Sequence, residues 1–304
     1  MGTKPQQQLQ RAAEGGEPGL FADWQPSWRN PAASGNSRAA RAGQDEPIPL
    51  LEEQLAVLQR EHNELRQAIF AAAQAQRRLC APRQARRGRF EIASEIFPVR
   101  HLSGDFNQVL DLGATTGLAV GDIAGKGLTA GLWLAHLAGL VRTHLGSSLD
   151  LSEAVTAINE ELWKMQPEAP MVALFLARLD QECGELIYCN AGQSPAVVLR
   201  AEGCVEFLEV GGPMLGGISG ASFPSGRVVL GRGDALISYS DGIVECRNDQ
   251  GEEFGAERLV AASQNAGHSS AAHMLYSLLG AAQDFAGTHA REDDLTLMVA
   301  RRLE

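Results

Sequence analysis

A chain of 304 residues with 44% apolar side chains has material for one sizeable core and an appendage. Its formal charge of -11 is uneven, with 13 Lys and Arg against 9 Asp and Glu in residues 1–89 and 13 against 28 in residues 90–304. So acidic a larger part repels a polyphosphate backbone and argues against nucleic acid as its partner.

No apolar run reaches the roughly 20 residues that span a bilayer. The nearest, residues 128–141, is interrupted by Thr129 and His136 and reads as a buried helix. The N-terminus shows no charged-then-apolar signal pattern, and Cys80, Cys183, Cys189, Cys204 and Cys246 have neither CxxC spacing nor the density of a disulfide framework. A reducing cytoplasm is the expectation.

Residues 1–47 are rich in Gln, Gly, Ala, Pro, Ser and Arg without apolar periodicity, a composition expected to stay disordered. A different pattern follows in residues 48–80. Leu51, Leu55, Leu58, His62, Leu65, Ile69, Ala72, Gln76 and Leu79 alternate steps of four and three, the seam of a coiled coil. Its weak points at His62, Ala72 and Gln76 leave two readings: a parallel homodimer through residues 51–79, which is favoured, or an amphipathic helix laid on the chain's own domain. The cluster Arg77, Arg78, Arg83, Arg86, Arg87 and Arg89 reads as a solvated linker that complements a helix C-terminus.

From residue 90 onward short apolar runs predict strands at 90–97, 109–112, 117–120, 172–179, 186–189, 196–199, 228–230, 235–239 and 295–300. Longer amphipathic stretches predict helices at 128–145, 152–165, 256–265 and 269–286. Strands come in runs with the helices grouped between and after them. This grouping indicates an α+β domain with mainly antiparallel sheet.

Acidic residues stand at the ends of these runs, most with small neighbours: Ser103-Gly104-Asp105, Gly121-Asp122, Ser240-Asp241-Gly242 and Glu292-Asp293-Asp294. Each alone is ordinary turn chemistry. Brought together they would repel strongly, since two unit charges about 4 Å apart cost on the order of 4 kcal/mol at an effective dielectric near 20. Bound cations or protonation must relieve that. Oxygen-only ligation selects hard ions, Mg²⁺ or Mn²⁺, and the seven histidines show none of the clustering a zinc site requires.

Taken in order, these motifs resemble those of SpoIIE/RsbU-type bacterial serine phosphatases, a branch of the metal-dependent, protein phosphatase 2C-like enzymes. Residues 99–106 (VRHLSGDF) look like the family's first acidic motif, and residues 120–127 (VGDIAGKG) resemble its Gly-Asp-x-x-Gly-Lys-Gly loop. Residues 188–192 (YCNAG), 239–242 (YSDG) and 293–296 (DDLT) recur in the family's order, so the resemblance covers about residues 80–302. It implies an α-β-β-α sandwich of two mainly antiparallel sheets flanked by helices, formed by residues 81–304 and preceded by a long linker helix. It further implies that Asp122 bridges two divalent ions, Mn²⁺ or Mg²⁺, helped by the Ile123 carbonyl, with Asp105, Asp241 and Asp293 completing the ligands.

Under that resemblance the chain hydrolyses phosphoserine or phosphothreonine on a partner protein, often an anti-sigma-factor antagonist in the family, with Asp122 and Asp241 central to catalysis. Two ions roughly 3.5 to 4 Å apart lower the pKa of a bridging water and clamp the phosphoryl oxygens for in-line attack. Family members are regulated by upstream sensory domains through a helical linker; no such domain is recognisable here, and removing residues 1–80 is expected to change oligomeric state and activity. Three positions depart from the family pattern: Gln108 where a second Asp is common, Ala173 where Thr or Ser is common, and Gln193 where His often follows Asn-Ala-Gly. Loss of a charge at Gln108 is expected to weaken metal affinity.

Other phosphate chemistries fit less well. Residues 121–127 lack both the glycine spacing and the terminal Ser or Thr of a P-loop. Cys80 and Arg86 have the spacing of thiolate phosphatases without a preceding strand or glycine-rich cradle. Lys126 can either bind phosphate or stabilise its loop. The alternative to an enzyme is a catalytically weak phosphatase-fold protein that acts as a binding scaffold.

Overall fold

A computed structural model describes residues 48–147, 150–267 and 269–303, and the disorder expected for residues 1–47 lies outside them. The chain divides into two compact units, Met1–Ala56 and Val57–Glu304. Helix α1 (Ile48–Leu79) begins in the first and continues into the second. There follow β1 (Gln84–Arg87), β2 (Phe90–Phe97), β3 (Phe106–Leu112), β4 (Thr115–Ile123), α2 (Leu128–Ser147), α3 (Leu151–Lys164), β5 (Val172–Asp180), β6 (Glu185–Ala191) and β7 (Ala196–Leu199). The remainder is β8 (Val205–Leu208), β9 (Gly211–Gly212), β10 (Gly226–Val229), β11 (Ala235–Tyr239), α4 (Asp241–Val244), α5 (Gly255–Ala266), α6 (Ala271–Ala286) and β12 (Leu295–Arg302).

The strands form two sheets, ordered β1-β2-β12-β11-β7-β8 and β10-β6-β5-β4-β3, with antiparallel neighbours throughout except that β9 pairs parallel to β6. Side-chain alternation makes each sheet two-faced. Along β5, Phe175, Ala177 and Leu179 turn into the space between the sheets, where they meet Phe90, Ile92, Val198 and Met298. Leu174 and Leu176 turn outward beneath Leu134, Leu137, Val141 and Ile158 of α2 and α3. The other sheet is covered by α5 and α6, whose Leu259, Met274, Leu275 and Leu278 pack on Ile237, Leu297 and Val299. The result is the α-β-β-α sandwich of two mainly antiparallel sheets implied by the sequence.

Local chemistry starts the helices where expected. The Asp150 carboxylate accepts from Ser152 N at 2.8 Å to cap α3, and Ser270 Oγ accepts from His273 N at 3.2 Å to cap α6. The basic cluster differs from its reading as a linker. Gln84–Arg87 is an edge strand on β2, Arg83 pairs with Glu95 at 2.9 Å and Arg89 with Glu182 at 2.9 Å. Arginine can hold an edge strand because its aliphatic stem covers apolar surface while the guanidinium stays wet.

Among the described residues of Val57–Glu304 nothing covers the first part of α1: residues 57–68 are exposed, with Leu58 at 62% and Leu65 at 59%. Contact starts near Ile69, and Gln76 is buried. Gln108 helps to seat the helix end. It sits on the face of β3 that carries Phe106 and Leu110, and its Nε2 donates to Leu79 O (3.3 Å) and Ala138 O (3.4 Å). The charge expected to be missing from the acidic cluster is therefore an amide serving the junction of α1, β3 and α2.

A carboxylate at Gln108 would face two carbonyl oxygens in a buried site. Gln108→Asp is expected to lose about 2–4 kcal/mol of stability in urea unfolding, the scale for a buried polar group stripped of its partners.

Candidate metal centre

The two sheets each present two of the four candidate aspartates at one end of the sandwich. Asp105 immediately precedes β3 and Asp122 is the penultimate residue of β4; the register Phe106↔Gly121 sets the two opposite each other. Asp241 opens α4 just after β11, and Asp293 lies two residues before β12, the strand paired with β11. Close approach there depends on glycine. A Cβ on Gly242 would lie 2.1 Å from Asp294 O, so only glycine lets the Ser240-Asp241 turn rest on the Asp293-Asp294 segment.

These carboxylates share one electrostatic field. Burial raises the Asp105 carboxyl well above the usual range, and the neighbouring Asp122 charge pushes it further. Asp122 is pushed up to about 6, first by burial and then by the charges of Asp241 and Asp293, while a hydrogen bond with Asp105 partly offsets the rise. Asp241 is raised by burial ahead of the Asp293 charge, with Lys126 acting in the opposite sense. The Ser240 and Thr296 hydroxyls favour the charged form of Asp105, yet neither satisfies Oδ2, which is buried without a hydrogen-bond partner.

Asp293 is handled differently. Its Oδ1 accepts from Asp294 N at 2.9 Å and its Oδ2 from Lys126 Nζ at 3.0 Å; the same ammonium donates to Glu292 O at 3.0 Å. Lys126 therefore joins the β4–α2 loop to the segment before β12. Among the described residues no three His, Cys, Asp or Glu side chains close around one point as a finished ion cage.

The donor set nevertheless suits hard divalent ions, being all oxygen, crowded with like charge and including an unsatisfied buried carboxylate oxygen. Ile123 O and Asp122 Oδ1 face the same backbone gap: a Cβ on Gly104 would come within 3.0 Å of the first and 3.2 Å of the second. Both expected oxygens of this strand end thus lie open to the same space.

Asp294, Ser103 and Gln76 hold the site together, and sequence reasoning gave them no such role. Asp294 accepts from Val99 N (2.7 Å), Ser103 Oγ (2.6 Å) and Gly104 N (3.0 Å), fastening the segment before Asp105 to the start of β12. Ser103 Oγ accepts from Asp105 N at 3.1 Å, and both backbone groups of Ser103 bond Gln76 of α1, at 2.8 and 3.1 Å. A signal for Gln76 existed, since it is a polar break in the Leu51–Leu79 seam. The departures also acquire functions. Ala173 is the cross-strand partner of Asp122, and Gln193 Nε2 donates to Tyr239 O at 3.0 Å beside the Asp241 turn. Burial pushes the Cys80 thiol up to about 11, which removes the thiolate that a cysteine phosphatase needs.

Sandwich and site together define a protein phosphatase 2C-like domain. The family model described as Stage II sporulation protein E (SpoIIE) matches residues 113–303, and the chain belongs to that family. Asp122, Asp241 and Asp293 fall inside the matched segment and Asp105 just before it. Protein IcfG of Synechocystis sp. is 26% identical over 199 residues, covering 56% of this chain and 31% of that protein. Phosphoserine phosphatase RsbU of Bacillus subtilis is 23% identical over 242 residues, covering 79% of this chain and 71% of RsbU. The chain thus spans less than a third of the first relative's length and more than two thirds of the second's. The solved SiaA-PP2C domain of Pseudomonas aeruginosa superposes with a TM-score of 0.69 at 16% identity, over 80% of this chain and 99% of that one, a likeness of fold.

Two outcomes are expected. Gln76→Ala frees the Ser103 backbone and should weaken Mn²⁺ binding, measured by calorimetry, roughly 10-fold, the lower end for an outer partner of a metal site. Because Asp122 sits at about 6, protons should compete with the ion as pH falls through that value, and affinity should be undiminished above about 7. In chelator the sign reverses for stability: this carboxyl's contribution is complete below the ordinary carboxylate range and lost as pH rises through about 6. Melting curves with EDTA and with Mn²⁺ at both pH extremes separate the two effects.

Proposed function

We propose that the chain is a metal-dependent protein serine/threonine phosphatase. The observation that carries this reading is the meeting of Asp105, Asp122, Asp241 and Asp293 in one field at one end of the two sheets, with an unsatisfied oxygen on Asp105. Membership of the SpoIIE family and similarity to phosphoserine phosphatase RsbU support it.

In this reading Asp122, Asp105, Asp241, Asp293 and the Ile123 carbonyl hold two divalent ions, Mn²⁺ or Mg²⁺. Bound there, such ions supply a nucleophilic water at neutral pH and positive charge for the phosphoryl oxygens. Asp122 lies against Asp105 and feels the charges of Asp241 and Asp293, so it would be the ligand common to both ions; Asp241 works from the opposite sheet. Asp294 and Ser103 keep Asp105 aimed, and Lys126 restrains Asp293 until an ion competes for its oxygens. The substrate is a phosphorylated regulatory protein, of which an anti-sigma-factor antagonist is the family's type, acted on in a cytoplasmic setting that suits five free cysteines.

The exposed seam of α1 supports a homodimer through residues 51–79. Leu58 and Leu65, one heptad apart, each leave more than half of their surface uncovered among the described residues, an apolar stripe that a second copy of the helix would bury. The alternative function is a scaffold with little catalysis; among the described residues no three His, Cys, Asp or Glu side chains form a finished ion cage.

Hydrolysis of p-nitrophenyl phosphate and of a phosphoserine peptide should require Mn²⁺ or Mg²⁺. Asp122→Asn should lower turnover more than about 100-fold, beyond what outer partners of a metal site carry. Absence of any metal-dependent turnover in the unaltered chain would leave the scaffold. For the dimer, light scattering should give twice the chain mass, reduced to one chain by combining Leu58→Glu with Leu65→Glu.

A further inference from the structure

A groove of about 580 Å³ runs beside the segment before β12, between α6 and the end of β2. Its floor is apolar, made by Phe97, Leu279, Ala282, Ala286 and Leu295. A smaller hollow of about 140 Å³ shares Cys246, Ala286, Arg291 and Leu295 with it and reaches Gly242 and Asp293. The two form one channel, with the carboxylate site at its near end and apolar surface at its far end. The channel's size is that of a site for a ligand well beyond a single phosphate group.

Most charges along the channel are already answered. Arg247 pairs with Glu253 at 2.9 Å, and Glu292 faces His289 at 3.9 Å. Glu245 is exposed, and its carboxyl is raised, first by desolvation and then by the charges of Asp241 and Glu253. Arg291, exposed and two residues from Asp293, has no hydrogen bond or ion pair among the described residues. The opposite flank of the site offers less room: a hollow of about 130 Å³ behind Asp105, walled by Gln76, Arg77 and Cys80 at the end of α1.

We infer that this channel is the docking site for the part of the substrate protein that flanks its phosphorylated serine or threonine, taking an apolar side chain on the floor and an acidic group at Arg291. The inference rests on the phosphatase reading. A phosphoryl group at ions that Asp122, Asp241 and Asp293 would hold brings its own chain to the channel mouth. An extended chain advances roughly 3.3 Å per residue, so side chains within about three residues of the phosphoserine can reach the floor. Burying one aliphatic side chain there contributes binding that a small phosphate ester cannot draw on.

Gly280 provides the test. It lines the groove from within α6, and a Cβ added there meets nothing within 4 Å, so Gly280→Phe fills the groove without touching the site. The full chain with Mn²⁺ is assayed on p-nitrophenyl phosphate and on two phosphoserine peptides, one with Leu and Glu within three residues of the phosphoserine and one with Ser and Lys in their places. The unaltered chain should show the lower KM for the Leu/Glu peptide. Gly280→Phe should raise that KM about 10-fold, the value of one buried aliphatic group. It should leave kcat/KM on p-nitrophenyl phosphate within about twofold, because that ester shares no interaction with the groove. Arg291→Gln should erase the preference for Glu.

Equal KM for the two peptides, or an unaltered peptide KM in Gly280→Phe, would overturn the docking site while turnover of p-nitrophenyl phosphate keeps the phosphatase reading standing. No turnover of any substrate by the unaltered chain would bring down both. A shift in oligomeric state of Gly280→Phe with unchanged KM would make the channel a contact between copies of this chain and overturn the inference.

Discussion

Like charge crowded into little space is the constraint from which the rest of the site follows. Strand register leaves no freedom: pairing Phe106 with Gly121 brings Asp105 against Asp122, and pairing Tyr239 with Leu297 brings the Asp241 turn beside Asp293 and Asp294. Each close pair costs on the order of 4 kcal/mol at about 4 Å and an effective dielectric near 20. The protein answers in two local ways. Between Asp105 and Asp122 burial and mutual charge raise both carboxyls, which favours the protonated form at this pair. At Asp293 an ammonium from Lys126 takes up the excess charge. Divalent ions would relieve both at once, so the same crowding that strains the ion-free fold is the driving force for metal binding.

Crowded carboxylates stay in place only if their backbones cannot retreat, and a hydrogen-bonded net supplies that restraint. Asp294 gives both carboxylate oxygens to the segment from Val99 to Gly104, which otherwise has no regular structure. Ser103 extends the net in two directions, to Asp105 N through its hydroxyl and to Gln76 through its backbone. Such a net is strong because its members polarise one another in a poorly solvated place, and it is costly to break for the same reason. Adjacent aspartates in the Asp293-Asp294 pair therefore divide the work: one faces the acidic cluster and Lys126, and the other holds the opposite sheet's loop.

How much was legible in the sequence depended on whether the signal was local. Strands β7 and β11 match their expected limits because each is a short, mainly apolar run buried on both faces, and β2 matches because its apolar residues outweigh the interruptions at Glu91, Ser94 and Glu95. Strand β1 was hidden because its side chains include Arg86 and Arg87, and an edge strand needs only one covered face; β8 was hidden because Glu206 and Phe207 point to solvent. The four aspartates stood out because most have small neighbours, a local mark of a tight turn. Gln76 and Asp294 could not be read in the same way, since their partners lie 27 and as many as 195 residues away in the chain. At Gln108 and Gln193 the family pattern suggested lost site chemistry, whereas packing gives both amides backbone carbonyls to bind. Ala173 alone stands directly across from Asp122, so it is the departure that borders the acidic cluster itself.

The site lies between two flanks of opposite construction. On one side α1 arrives as a long helix whose exposed leucines precede a final turn locked to Ser103 by both atoms of the Gln76 amide. A rotation of that helix by one residue would carry Gln76 away from Ser103, because successive side chains on a helix point about 100° apart. The Asp105 segment would then lose one of its two anchors, and Asp294 would hold it alone. On the other side, α6 and the segment before β12 leave an open channel that meets Asp293 without touching Ser103 or Gln76. The helix end and the channel therefore border different aspartates, Asp105 in the first case and Asp293 in the second. Because Asp122 lies against Asp105 and feels the charges of Asp241 and Asp293, a change at either flank reaches that one carboxylate.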